Sequence, residues 1–379
     1  MARSPIDTTS VKRVALIAPD GLSLLRQRSE LIADIVARRH SVLALLPEQA
    51  AQSIPALMER GIAAATFPWK SDRPSILADR QTVAAIAGQL ADWRAHVVLC
   101  YGAKTLPLGA LAARKARVKR RVGLVTALPP VMMPDAGALP GWAWRRLLKS
   151  GFKALDAAVF HIDSHRAQLT AAGCLPRTLE VATVAGSGVD LMRYTMQPLP
   201  PLANDGRTAL NFAMVARLDA AKGVIEFCEA AMQVKNTAPD TRFILAGRDG
   251  DLDRTLLSRY GISIEIIDDR GDAGPLCAAS HVFVLPSWGE ALPRVLLEAL
   301  AIGRPIITTD IAGARETVDE RVNGVLVPPK NVTALVAAME SFINRPDLIP
   351  AMARASRSKA ERRFDVRTVN ATLLHMLGL

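Results

Sequence analysis

Residues 281–298 read HVFVLPSWGEALPRVLLE, and the rest of the chain can be read outward from them. An apolar run, 281–285, stops at Pro286. A Ser-Trp-Gly turn follows, Glu290 opens the next segment, and an amphipathic helix is expected from about Pro293, carrying Glu298. Proline suits a first helical position, where its missing N–H would have no partner. The amides of Ala291, Leu292 and Arg294 then lie at the positive end of a helix, where phosphate binds readily. Glu290 and Glu298 stand eight residues apart, roughly 12 Å along a helix. One carboxylate at the helix mouth and one further in can take hydroxyls on either side of a bound diphosphate. Alone, the pair equally fits an ordinary helix surface, with Arg294 and Glu298 as an i,i+4 ion pair.

The flanking residues decide between the two. Glu290-x7-Glu298 is followed by AIGRPIITTDIAGARETV (301–318) and NGVLVPP (323–329). Together these resemble the retaining glycosyltransferases of family four. The resemblance implies an α/β protein of GT-B fold, with two Rossmann-like, doubly wound parallel-sheet domains facing a cleft. Three further stretches extend it: RQRSELIADIVARRHSV (26–42), AKTLPLGALAARKA (103–116) with VTALPP (125–130) downstream, and GSGVDLMRY (186–194). These look like the subgroup that adds sugars to lipid-linked saccharides during surface-polysaccharide assembly, such as lipopolysaccharide or exopolysaccharide. In the family, Gly186-Ser187-Gly188-Val189-Asp190 marks the crossing out of the first domain. The implied layout is 1–190 as the acceptor-binding domain and 191–206 as linker. Residues 207–365 would form the nucleotide-sugar domain, and 366–379 a helix crossing back.

Size and composition agree with two domains. A chain of 379 residues exceeds one ordinary core, and half of it is hydrophobic. Aromatic residues are 4% of the chain, too few for base stacking to be a main theme. A net charge of +11 calls for an anionic partner: nucleotide, nucleic acid or membrane phospholipid. No run reaches the ~18 apolar residues of a membrane span, and VALIA is too short for a signal-peptide core. Cys100, Cys174, Cys228 and Cys277 are scattered, without CxxC pairing, which fits a reducing cytoplasm.

In the N-terminal half, residues 1–10 read as a lead and 11–18 as a buried strand ending in Pro-Asp-Gly. Residues 22–38 have helical periodicity and 40–46 read as a second strand, so a βαβ unit and a parallel sheet follow. Strand-like runs recur at 64–67, 97–100, 121–125 and 157–162. Gly21 falls at the carboxyl end of the first strand, where open α/β sheets bind ligands. It can admit a ligand to the backbone or serve as an ordinary turn glycine. No GxGxxG is present, so a dinucleotide is not indicated. Arg114, Lys115, Arg117, Lys119, Arg120 and Arg121 crowd one connection. GWAWRRLLKSGFKAL (141–155) sets Trp142, Trp144, Leu147, Leu148 and Phe152 beside Arg145, Arg146, Lys149 and Lys153. Such a helix lies on an anionic bilayer or turns its apolar stripe to a core; with the total charge, peripheral contact with the inner membrane surface is the reading taken here.

In the C-terminal half, residues 209–216 form a strand, and Arg217 and Lys222 frame a turn ending at Gly223 before a helix at 224–234. Arginine offers a fork and lysine a point charge, a pair suited to a diphosphate. A strand at 242–246 with Gly247 after it, a strand at 263–267 and the DDRGD loop (268–272) come next. The resemblance places Arg217, Lys222 and the N–H groups of Ala291 and Leu292 on the diphosphate, and Glu298 on the ribose. It places Glu290 on the donor sugar and Arg270 near the base; Gly21 and Gly247, at strand ends, are further candidates for the donor site. Asp249, Asp251 and Asp253 imitate the start of an EF-hand loop, but Arg254 and Tyr260 stand where glycine and glutamate are required. Strands at 305–308 and 325–327, a helix at 332–342 and a helical tail over 351–377 complete the reading.

The implied activity is transfer of a hexose from a nucleotide diphosphate, UDP above all, to a lipid-linked or oligosaccharide acceptor, with retention and without a metal or other cofactor. Many relatives carry a donor-contacting histidine where this chain reads VTALPP, which leaves Thr126 or backbone groups to take that contact. Two alternatives keep to other classes: an epimerase or phosphorylase on the same fold, and a non-enzymatic basic module for membrane or nucleic acid. The scarcity of aromatics argues against nucleic acid as partner.

Overall fold

A computed structural model describes residues 11–129, 141–202, 209–268 and 271–379. The chain divides into two compact units, with breaks between Ser187 and Gly188 and between Val366 and Arg367; Arg367–Leu379 belongs to the first unit.

The first unit holds seven strands: β1 (Arg13–Ile17), β2 (Ser41–Pro47), β3 (Ala63–Phe67), β4 (Val97–Tyr101), β5 (Arg120–Val125), β6 (Ala157–Phe160) and β7 (Glu180–Thr183). All pair in parallel, in the order β3-β2-β1-β4-β5-β6-β7. Most read as unbroken apolar runs because both faces of the sheet are covered. On one face lie α1 (Ser29–Ala37) and α2 (Ile54–Met58), through Leu31, Ile32, Ile35 and Leu57. On the other lie α3 (Ile76–Asp92), α4 (Thr105–Lys115), α5 (Gly141–Lys153) and α6 (Asp163–Ala171), through Ile86, Ala110, Leu148, Phe152 and Leu169.

The second unit repeats the plan. Its strands are β8 (Asn211–Arg217), β9 (Arg242–Arg248), β10 (Glu265–Asp268), β11 (Val282–Leu285), β12 (Ile306–Thr309) and β13 (Gly324–Val327), all parallel in the order β10-β9-β8-β11-β12-β13. This is the doubly wound order, whose reversal between β8 and β11 opens a crevice at the carboxyl edge. Its helices are α7 (Val224–Thr237), α8 (Arg254–Ser258), α9 (Gly274–Ala278), α10 (Arg294–Ile302), α11 (Ala312–Arg315), α12 (Val332–Asn344) and α13 (Ile349–Arg363). The last helix, α14 (Val366–Leu377), sends Val369, Leu373, Leu374 and Leu377 into the α1 side of the first core.

Several expectations are revised. The helix expected over 22–38 is a π-type turn, Ser23–Gln27, and then α1. Arg28 leaves helical geometry at the join (φ −125°, ψ 8°), and its buried guanidinium meets His161 Nε2 at 2.8 Å. The helical tail breaks at Phe364–Asp365, where Val189 pairs with Asp365 and exchanges backbone hydrogen bonds with Phe364 and Val366. The stretch read as linker is not a loose spacer over 193–200. Arg304 Nη1 donates to Gln197 O (3.0 Å) and Nη2 to Pro198 O (2.7 Å), and the His281 ring lies 3.1 Å from Pro200 O. Residues 203–206 of that linker, and the expected lead 1–10, lie outside the described residues. Strand β7 has no counterpart in the sequence reading; its EVAT alternates half-buried and exposed at the sheet edge.

The apolar stripe of α5 faces the core. Trp144, Leu148 and Phe152 are buried, and Gly151 packs so closely on α4 that a Cβ there would fall 2.5 Å from Pro107 Cα. That overturns the reading in which this stripe enters a bilayer; Trp142, 67% exposed, remains on the outer surface, and Leu147 is half-buried.

Candidate donor site at the β8–β11 reversal

Two loops meet where the strand order reverses. The loop after β8 ends at Gly223, which has φ +74°. A Cβ on Gly223 would sit 2.1 Å from the Pro286 carbonyl oxygen, so glycine alone lets this turn lie against the end of β11. Trp288 zips the loops further: its backbone N–H donates to Ala221 O (2.9 Å) and its indole N–H to Glu226 Oε1 (2.8 Å). Behind them, Thr309 Oγ1 donates to Ser287 O (2.5 Å). The α11 turn presses in at Gly313, where a Cβ would meet the carbonyls of Ala291 and Glu290.

The result is a fixed meeting of charge. Lys222 Nζ donates to Glu290 Oε1, with Ser287 Oγ at 3.4 Å from the same oxygen. Arg217, at the end of β8, turns its Nε to Asp219 Oδ2 at 2.5 Å and stays 58% exposed. The carboxylates of Asp219 and Asp251 accept from backbone amides across the turn: Asp251 N donates to Asp219 Oδ1 (3.0 Å) and Ala220 N to Asp251 Oδ1 (2.8 Å). The acids that imitated an EF-hand are thus spent on the turn itself. Asp253 caps α8, and Asp249 pairs with Arg254.

The expected helix start is corrected by one residue. Pro293 is the N-cap, extended at φ −68°, ψ 118°, and α10 begins at Arg294. Ala291 and Leu292 therefore belong to the loop before the helix. Their N–H groups meet no protein acceptor among the described residues, and both residues are half-buried. Two amides without partners, next in sequence to the Glu290 that Lys222 holds, can receive an anion.

Glu298 sits apart from Glu290, in the second turn of α10. Arg294 Nε donates to its Oε1 at 2.9 Å. The Tyr194 hydroxyl donates to Asp272 Oδ1 (3.2 Å), whose Oδ2 accepts from Arg193 at 2.9 Å. Burial pushes the Glu298 carboxyl above the usual carboxylate range, and Arg294 opposes that rise. The structure joins Glu290 to Lys222 and Glu298 to Arg294, in two separate pairs.

Gly247 lies within β9 rather than after it, and its missing side chain makes room for Leu218 Cδ2, 2.2 Å from where a Cβ would be. Gly21 makes room for Ser53 in the same way, at 2.0 Å. Both glycines thus have packing reasons in their own chain. Arg270 lies outside the described residues. Tyr194, Asp272, Trp288, Glu226 and Thr309 were not singled out from sequence; each acts through a partner far along the chain.

Two parallel-sheet α/β domains of this order define the GT-B class of glycosyltransferase folds. Residues 209–345 match the family described as "Glycosyl transferases group 1". Over 231 residues the chain is 30% identical to WcaL of Escherichia coli K12, a protein named as a colanic acid biosynthesis glycosyltransferase. That match covers 57% of this chain and 54% of WcaL, so the chain spans about half the length of this curated relative. A longer match, 22% identical over 338 residues, covers 85% of this chain and 87% of its partner. That partner is the N,N'-diacetylbacillosaminyl-diphospho-undecaprenol alpha-1,3-N-acetylgalactosaminyltransferase of Campylobacter jejuni. Among solved structures, Anabaena HepE in complex with UDP superposes with a TM-score of 0.76 at 19% identity, over 96% of this chain and 99% of that one.

Proposed function

We propose that the protein is a retaining glycosyltransferase of family four, moving a sugar from a nucleotide diphosphate, UDP in the first instance, to a lipid-linked or oligosaccharide acceptor in surface-glycan assembly. The observation that carries this is the meeting of Lys222, Glu290 and the unpartnered amides of Ala291 and Leu292 at the reversal of the second sheet. All of it falls inside the matched region 209–345. The UDP named in the HepE complex and the diphospho-undecaprenol acceptor named for the Campylobacter relative support the choice of donor and acceptor.

In this reading a diphosphate competes with Glu290 for Lys222 and with Asp219 for Arg217. The bond from the anomeric carbon to the diphosphate breaks, and its electron pair goes to the departing phosphate oxygen. Lys222, Arg217 and the two amides stabilise that charge, the largest catalytic contribution, with no metal required. Glu290, released from Lys222, takes donor-sugar hydroxyls and orients the anomeric carbon. The acceptor hydroxyl enters on the same face, and its proton passes to the departing phosphate. Glu298 takes the ribose hydroxyls, and the loop at VTALPP meets the sugar without a histidine. The acceptor's lipid places the reaction at the inner, cytoplasmic face of a membrane; no helix among the described residues is long and apolar enough to cross one.

A thermal-shift panel of nucleotides and nucleotide-sugars, followed by NMR of the product with the best donor, tests the reading. An α-linked product from an α-linked donor is expected. Conversion of donor alone into a sugar isomer would replace it with an epimerase.

A further inference from the structure

The charge of the chain is divided unequally. The first unit carries 26 Lys and Arg against 13 Asp and Glu, net +13, while the second carries 21 against 23, net −2. The positive excess of the whole protein thus belongs to the unit that would receive the acceptor.

Within that unit, α3, α4 and α5 lie side by side on one face of the sheet, with α4 in the middle. Each follows a parallel strand and runs back along it, so their first turns share the carboxyl edge. Two of these turns expose large apolar side chains: Ile76 and Leu77 on α3, at 78% and 76%, and Trp142 on α5. Exposed cations stand around them, Lys70, Arg73 and Arg80 on one side and Arg145 and Arg146 on the other. Among the described residues one exposed acid, Asp72, lies with them and accepts a bond from Trp69 Nε1.

The α3 side is held rigid from below. Lys104 Nζ, buried, donates to Ser71 O (2.6 Å) and Arg73 O (2.8 Å), pairs with Asp79 (2.7 Å) and lies 4.9 Å from the centroid of the Trp69 ring. Asp79 Oδ2 in turn accepts from Ser75 N at 2.9 Å. Ile76 and Leu77 are therefore presented to solvent by a fixed turn. Apolar studs ringed by cations match the chemistry of an anionic bilayer, an apolar layer under a phosphate layer.

We propose that this rim, the first turns of α3 and α5 on either side of α4, seats the protein on an anionic lipid bilayer. Ile76, Leu77 and Trp142 enter the interface and the five cations meet headgroup phosphates. The proposal deepens the function given above, whose lipid-linked acceptor would stay in the same bilayer, but it stands on exposure and charge alone. The other basic group, Arg114, Lys115, Arg117 and Lys119, surrounds the end of α4 and the start of β5 at the opposite edge of the sheet, and takes no part.

The test is flotation of the full chain with vesicles of phosphatidylglycerol and phosphatidylcholine, against phosphatidylcholine alone. Wild type should float with the anionic vesicles and less so at high salt. Ile76→Glu/Leu77→Glu and Trp142→Glu should each lower the bound fraction, and together cut partitioning about tenfold or more. Arg114→Glu/Lys115→Glu/Arg117→Glu/Lys119→Glu should keep most of it. The reverse ranking, or no flotation of wild type, overturns the proposal. Circular dichroism melts and UDP affinity show that each variant is folded. A chain that floats but binds no nucleotide would sink the transferase reading and leave this surface standing.

Discussion

Lys222 and Glu290 close on each other across the point where the strand order of the second sheet reverses, 68 residues apart in sequence. The pair is half of a competition: any anion that draws Lys222 away frees a carboxylate to accept hydroxyls. The two events expected of a donor complex, charge neutralisation and sugar orientation, are thereby linked in one contact.

Glu290→Gln keeps the shape and removes the charge. With donor saturated, kcat should fall about 10²–10³-fold, while the melting temperature moves little. Full turnover in this variant would strip Glu290 of its role. Lys222→Ala should weaken UDP binding as well as turnover.

Gly223→Ala forces a side chain onto φ +74° and into the Pro286 carbonyl. About 1–2 kcal/mol of backbone strain is expected, with displacement of the turn added to it. Urea midpoint and UDP affinity should fall together. Gly289→Ala, in the same loop with nothing within 4 Å, is the control and should be tolerated.

In its proposed role Glu298 accepts ribose hydroxyls as a carboxylate, and burial raises its folded pKa. UDP affinity should therefore weaken on acidification at a higher pH than an ordinary glutamate would give. Arg294→Leu removes a partner that favours the charged form, so the acid limb should move to higher pH still. Calorimetric titration with UDP from pH 8 to pH 5 reads this; a limb unmoved by Arg294→Leu discards the assignment.

His165 is buried, and that burial depresses its pKa to about 4. Below pH 6.5 the unfolded chain takes a proton that the folded one refuses, so stability is present above that value and lost as pH falls. The contribution is about 1.4 kcal/mol per pH unit between 6.5 and 4. His165→Gln should flatten the urea-midpoint profile over that range.

Arg304 is fully buried, and its guanidinium donates to the carbonyls of Cys277, Gln197, Pro198, Ala278, Ile302 and Gly303. Arg304→Met leaves carbonyls on 197–198 and 277–278 without their donor. At about 1 kcal/mol for each bond lost, destabilisation of about 3–5 kcal/mol is expected in urea. Amide exchange should rise over 197–202.

The strands were readable because parallel strands covered on both faces, such as SVLALLP and HVFVL, are continuous apolar runs. EVAT was not, since an edge strand shows half its side chains to water. The candidate donor loop could be located from its glycines and glutamates, but its partners could not. Trp288 reaches Glu226 and Thr309 reaches Ser287 only once strand order sets β8, β11 and β12 side by side. The α5 stripe misled because core burial and bilayer burial ask for the same apolar periodicity; Gly151 on Pro107 is the detail that separates them, and pattern does not show it.

Helix α14 has a consequence for how the chain is made. It supplies Val369, Leu373, Leu374 and Leu377 to the first core, and Lys12 and Arg120 donate to the carbonyls of Gly378, just past its end, and Met376. A ribosome must therefore add all of 188–366 before the opening half of the molecule can be sealed, a delay of roughly ten to forty seconds at 5–20 residues per second. Through that interval the apolar groove beside α1 stands open to whatever chaperone is present, so nascent-chain quality control would bear hardest on the half translated first.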